Sequence, residues 1–287
     1  MLWPFARCIA AAGLAVAMLP TTALSADDAL SKSIDLYQQR YQVTVGGQPD
    51  KSNPYEKIVQ DHGQGPASLY GLRNLRAVLP GVVYRSGANN AFRDLYKEKP
   101  RNNMNPLPPE GLTNLCQEGF SAEIYLYATN YATATASTVC TIRPDVGSPQ
   151  PSNTLSYLDK LPLSGDYGVH DVLQMVHAKL TGTADSRPML VHCWNGWHAS
   201  GITSALVLRQ FCGINGDEAV AYWNCNTDGA CIGPKGSAEA KSFNKIRARI
   251  RAFTPYEDLK ISNEIRDKVC PKLANTCPHP PKKPCPT

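Results

Sequence analysis

Residues 189–208 read MLVHCWNGWHASGITSALVL. Pro188 precedes a short apolar run, Met189-Leu190-Val191, with the length and composition of a buried strand. His192 to Gly201 form a turn that carries Gly196 and Gly201. Ile202, Ala205, Leu206, Val207 and Leu208 then continue as an apolar helix ending near Gly213. A strand that empties through such a turn into a helix builds an anion site. Backbone N–H groups of the turn converge on one point, and the helix N-terminus adds about half a positive charge there. Cys193 begins the turn, and these surroundings hold a cysteine as thiolate at neutral pH. A thiolate facing N–H groups suits attack on a tetrahedral oxyanion such as a phosphoryl group, through a covalent cysteinyl intermediate.

Outward from this turn the chain alternates strand and helix. Ser156 to Leu163 form a strand candidate leading into the loop SGDYG, and Val169, Val172, Leu173, Val176 and Leu180 fall at helical spacing before a break at Gly182. Val82, Val83 and Tyr84 follow the Pro80-Gly81 turn into Arg85-Ser86-Gly87. Pro109 and Glu110 suit the first turn of a helix ending near Gly119, and Ile124 and Leu126 make a further strand. The Thr/Ala/Ser-rich stretch from Thr129 to Pro151 reads as a surface excursion held by Cys140. After the central turn, one helix begins at Asp217-Glu218 and a last one spans about Ala238 to Phe253. Short apolar strands alternating with helices imply an α/β layer architecture.

Two blocks carry a family resemblance. His192, Cys193, Gly196 and Ser200 match the H-C-x-x-G-x-x-R-[ST] pattern of the protein tyrosine and dual-specificity phosphatase superfamily. LRNLRAVLPGVVYRSG (residues 72–87) resembles the N-F-R-D-L … G-x-x-Y-R-S-G block of bacterial tyrosine-phosphatase-like proteins. The helix GLTNLCQEGF and the strand after it sit where that family has them, so the likeness covers roughly residues 69 to 225. It implies a cysteine-phosphatase-like central sheet flanked by helices, with Cys193 as nucleophile. Ser200 would assist departure of the thiolate, and Trp194, Asn195, Gly196, Trp197, His198 and Ala199 would form the anion-binding turn. His192 would support the loop, and the two tryptophans are either pocket walls or core.

The family's arginine belongs where Ala199 stands. That arginine grips two phosphoryl oxygens, a bidentate task few side chains perform. Two charge-assisted hydrogen bonds, at about 1.5–3 kcal/mol each, put its loss at roughly two to four orders of magnitude in rate. His198 is a partial substitute at best, because it cannot form the same fork. The general acid of the family is an aspartate about thirty residues before the cysteine. Asp166 is the candidate, with a helix N-cap as its alternative role; Asp159 and Asp171 rank behind it.

The ends of the chain suggest export. Arg7, the apolar stretch from Cys8 to Leu19, Pro20, and the small residues around Ala23, Ser25 and Ala26 read as a secretory signal over residues 1–26. That run is too short for a stable membrane span. Residues 27–68 then form a polar extension without strong period, residues 69–255 the phosphatase-like domain, and residues 256–287 a Cys/Pro-rich tail. Of ten cysteines, Cys8 leaves with the signal and Cys193 belongs to the turn. Cys116, Cys140, Cys212, Cys225, Cys231, Cys270, Cys277 and Cys285 remain. In an oxidising compartment they imply disulfide-stapled extensions, Cys225 and Cys231 being able to close a short loop. Zinc is the competing reading, without paired C-x-x-C knuckles to support it. His170, His177 and His198 are too irregularly spaced for a metal set, and no cofactor is implied.

With 18% charged residues and a net charge of +5, the chain shows no basic, aromatic-interleaved patch for nucleic acid. The expected activity is hydrolysis of a phosphomonoester by a periplasmic or secreted protein, its partner a phosphorylated small molecule or other oxyanion. A pseudophosphatase that binds such a ligand without turning it over is the alternative. A thiol enzyme with another substrate is a third.

Overall fold

The computed structural model describes residues 26–59, 69, 72–88, 109–126, 137–159, 166–227 and 236–273. A six-stranded sheet contains β3 (Arg76–Leu79), β4 (Val83–Ser86), β5 (Ala122–Tyr125), β6 (Ser137–Thr141), β7 (Ser152–Asp159) and β8 (Met189–His192), in the order β3-β4-β8-β5-β7-β6. Strands β4, β8, β5 and β7 run parallel, and β3 and β6 close the two edges antiparallel. β1 (Val43–Val45) and β2 (Gln48–Asp50) form a separate hairpin. Every residue of β3, β4, β5 and β8 is buried, as parallel strands covered on both faces must be.

Helices supply the two covers. One apolar cluster unites Val191 and Cys193 with α3 (Asp166–Leu180), α4 (Ala199–Cys212), α5 (Gly216–Cys225) and α6 (Ala238–Ala252). The other unites Tyr84, Tyr125 and Leu190 with α2 (Pro109–Gln117) and the end of α1 (Ala26–Arg40). The mixed α/β class and helix-flanked central sheet expected from the sequence are what the chain forms.

Three elements differ from the expectation. Residues 26–40 are a helix despite their polar majority, because Leu30, Ile34, Tyr37 and then Tyr41 recur at helical spacing and are all buried. α1 crosses the amino-terminal edge of the sheet. Gln38 donates to the Pro80 carbonyl, the Tyr37 hydroxyl to the Gly119 carbonyl and Ser33 to the Ser186 carbonyl, each just before a strand. The stretch expected as a surface excursion contains β6, whose alternately exposed Ser137, Val139 and Thr141 mark an edge strand with one covered side. The tail contains a further helix, α7 (Asn263–Val269), capped by Ser262.

Disulfides join Cys116 to Cys140 and Cys212 to Cys270. The first ties α2 to β6, and the second fixes the tail to the end of α4. Cys225 is also disulfide-bonded; Cys231, Cys277 and Cys285 lie outside the described residues. So do residues 1–25, where the signal is expected. Among the described residues no helix is long and apolar enough to cross a membrane.

Candidate active site

The four parallel strands end together, with Ser86, His192, Tyr125 and Asp159 in register. The turn at residues 193–198 leaves the end of β8 at this carboxyl edge, where open parallel sheets place their ligand sites. α1 lies at the opposite edge.

Cys193 is 1% exposed and is a free thiol. Its Sγ stands 3.2 Å from the Ser200 Oγ, in the first turn of α4. The same hydroxyl lies 3.1 Å from the Ser86 carbonyl, which also accepts from the Cys193 amide at 3.3 Å. Ser200 is 0% exposed, so its contacts are these and not solvent.

The turn is shaped by what its carbonyls accept. The Trp194 carbonyl takes the Ala88 amide at 2.9 Å and the Trp197 carbonyl takes the Trp223 indole N–H at 2.9 Å. Gly196 receives the Asn74 amide at 3.4 Å and the Arg85 guanidinium, and Asn195 receives Asn74 at 3.5 Å. The His198 carbonyl accepts from Ile202 at 2.8 Å, within α4. In a trans peptide the next residue's N–H points away from the preceding C=O. Five carbonyls bound to the scaffold therefore turn the amides from Asn195 to Ala199 the other way. The amides of Asn195, Gly196 and Trp197 donate to no acceptor among the described residues, and the first turn of α4 has no intrahelical acceptors for its own. Amides gathered in this way form a nest of the kind that can accept an anion.

The 72–88 segment is the mould. Asn74 adopts φ 54°, a left-handed conformation tolerated by asparagine. Gly87 packs so closely that a Cβ there would come 2.6 Å from the Trp194 oxygen. Gly196 has φ 75°, and its Cβ would meet the Gly87 nitrogen at 2.9 Å. Arg85 is wholly buried beneath the turn and also donates to the Asn226 carbonyl at 2.8 Å.

The remaining candidates fall around the turn. His192 stacks on Tyr125 with ring centroids 4.8 Å apart and lies 3.7 Å from Glu123. Burial pushes the imidazole down to about 3, so His192 is uncharged at neutral pH, and it holds the Glu123 carboxyl well above the usual carboxylate range. Trp194 donates its indole N–H to the Tyr125 hydroxyl, and Trp197 packs half-buried on the α4 side. The His198 ring lies against Phe243 of α6 at 5.1 Å. Ala199 is 2% exposed and belongs to the apolar core. Asp166 opens α3, the helix returning from the end of β7 to the start of β8; its side chain lies outside the described residues, as does that of Asp159. His170 packs on Tyr256 and His177 reaches the Lys260 carbonyl, well apart from each other. No group of three His, Cys, Asp or Glu suited to a metal occurs among the described residues.

Sequence reasoning did not single out Asn74, Trp223 or Asn226 as loop supports. Trp223 and Asn226 lie on α5 and just beyond it, far along the chain. Only the indole of Trp223 and the amide of Asn74, without spacing as a guide, could have pointed to them, and Asn226 contributes a backbone carbonyl that carries no side-chain signal.

No family model matches the chain, and no curated protein matches it. Among solved structures, a crystal structure of Tk-PTP in a mutant form is similar over 60% of this chain and 94% of its own, at 15% identity and a TM-score of 0.34. At that distance the likeness carries no functional information.

Proposed function

We propose that the chain is an exported, cysteine-dependent hydrolase of phosphomonoesters, with Cys193 as nucleophile. The observation carrying this is the free thiol at the base of a turn whose carbonyls are bound outward and whose amides face inward. In the first step the Cys193 sulfur attacks phosphorus, the ester oxygen leaves with a proton from an acid such as Asp166, and a cysteinyl phosphate forms. Water then displaces the sulfur from phosphorus, and the Ser200 hydroxyl, 3.2 Å away, hydrogen-bonds the departing thiolate. The disulfides support export, because such bonds persist in oxidising compartments.

One observation favours the pseudophosphatase reading: Ala199 offers a methyl group in the core where the phosphatase pattern needs a guanidinium. Steady-state turnover of an aryl phosphate separates the two. Hydrolysis that disappears in Cys193→Ser is the expected result. Absence of turnover in the natural chain, with activity appearing in Ala199→Arg, would transfer the protein to the binding class.

A further inference from the structure

We infer that Arg85 is the built-in counter-charge of the anion held in the Cys193 turn, a positioning residue that supplies from beneath the electrostatic share of the arginine Ala199 lacks. The inference rests on the reading of this turn as an oxyanion site. Arg85 is 0% exposed, and no carboxylate pairs with it among the described residues. Among the described residues its acceptors are the carbonyls of Gly196 and Asn226, both on Nη2, while Nε and Nη1 have none. An isolated buried charge with unsatisfied donors is strongly unfavourable unless an opposite charge comes to meet it. The nearest place for one is the amide side of the turn, across the Gly196 peptide whose carbonyl Arg85 holds. Arg85 and Val191 are paired across β4 and β8, and Cys193 follows two residues on, toward the same face. Nη1 lies 3.8 Å from where a Cβ on Gly201 would stand, in the first turn of α4.

Other ionisable groups nearby do not take this role. His192 and Glu123 pack on the far face of the sheet, where burial disfavours the charged form of each. Arg73 hydrogen-bonds the Asn195 side chain at 3.4 Å, at the flank of the turn, and His198 is turned onto Phe243. Arg85 does two things at once. It turns the Gly196 carbonyl outward, aiming the Trp197 amide into the nest, and it places a full positive charge under that nest, where burial limits screening by salt.

The test is inorganic phosphate binding by calorimetry in the natural chain, Arg85→Gln and Arg85→Lys. Glutamine can still donate to the carbonyls but has no charge; lysine keeps the charge with fewer donors. Affinity should fall about tenfold or more in Arg85→Gln, stay within a few-fold in Arg85→Lys, and the gap should persist at high salt. Equal affinity in natural and glutamine forms, or an equal loss in both variants, would overturn the inference. A measurement on the natural chain covers the case in which the variants fail to fold: the Arg85 Nε–H resonance should shift during phosphate titration. If phosphate binds and that resonance stays put, Arg85 is not the counter-charge. Neither readout depends on turnover, so an inactive protein that binds phosphate through Arg85 would refute the hydrolase and leave this inference standing.

Discussion

Glu123 and His192 face one another at full burial, and burial disfavours the charged form of each for the same reason: nothing nearby solvates it. Their effects on stability run in opposite directions. The unfolded imidazole takes up a proton as pH falls through about 6.5, while folded His192 stays neutral down to about 3. Its depressed value means stability present above about 6.5 and lost toward the acid side. Glu123 has a raised value, so its contribution is complete below about 4.3, the unfolded pKa, and is lost as pH rises toward the folded one. Between those two limits the slopes oppose each other; above them only Glu123 acts. Glu123→Gln keeps the shape and removes the alkaline loss. Urea midpoints at about pH 5 and pH 8 should show the variant gaining on the natural chain at the higher pH. Parallel midpoints would mean that the carboxyl is ionised in the fold.

At the scale of elements, the HC-x-x-G turn and the YRSG segment are one device. Arg85 and Ser86 hold the turn's polar backbone, and Gly87 provides the surface on which residues 194–196 rest. A methyl group at residue 87 would run into the backbone of the turn, at 2.6 Å from the Trp194 oxygen and 2.8 Å from the Asn195 carbonyl carbon. Backbone cannot swing aside as a side chain can. Gly87→Ala should therefore cost roughly 1–3 kcal/mol and also weaken protection by phosphate, both read from thermal melts with and without the anion. Loss of stability with undiminished protection would show that the turn is shaped elsewhere. Much of this device was legible beforehand, because a strand, a glycine turn and an apolar helix declare themselves within twenty residues. The supports were less legible for a physical reason. Asn74 and Trp223 donate to the turn's carbonyls and Asn226 accepts from Asn74 and Arg85 with its own carbonyl, and such tertiary bonds leave no period in a sequence. α1 was hidden similarly: four buried residues suffice to seat it, and a polar majority masks them. β6 escaped because an edge strand needs only one covered side.

For the whole molecule, the division of labour follows the two ends of the sheet. α1 seals the amino-terminal edge, while the carboxyl edge carries the thiol and its nest. α4 connects the site to the tail, since its first turn holds Ser200 and its last residue is Cys212, bonded to Cys270. Tail and helix are joined by more than sulfur. Gln210 donates to the Tyr256 and Leu259 carbonyls, and Arg266 donates to the Phe211 carbonyl. The disulfide spans a sequence separation of 58 residues, and closing a loop of that size removes chain entropy worth about 4 kcal/mol from the unfolded state. Replacing Cys212 and Cys270 together by serine should lower the melting temperature by roughly 8–16 °C in a chain of this length. Phosphate affinity measured well below the transition should remain unchanged, because a helix of 14 residues separates the bond from the nest by about 20 Å. A fall in affinity without a fall in melting temperature would show instead that the tail governs the site directly.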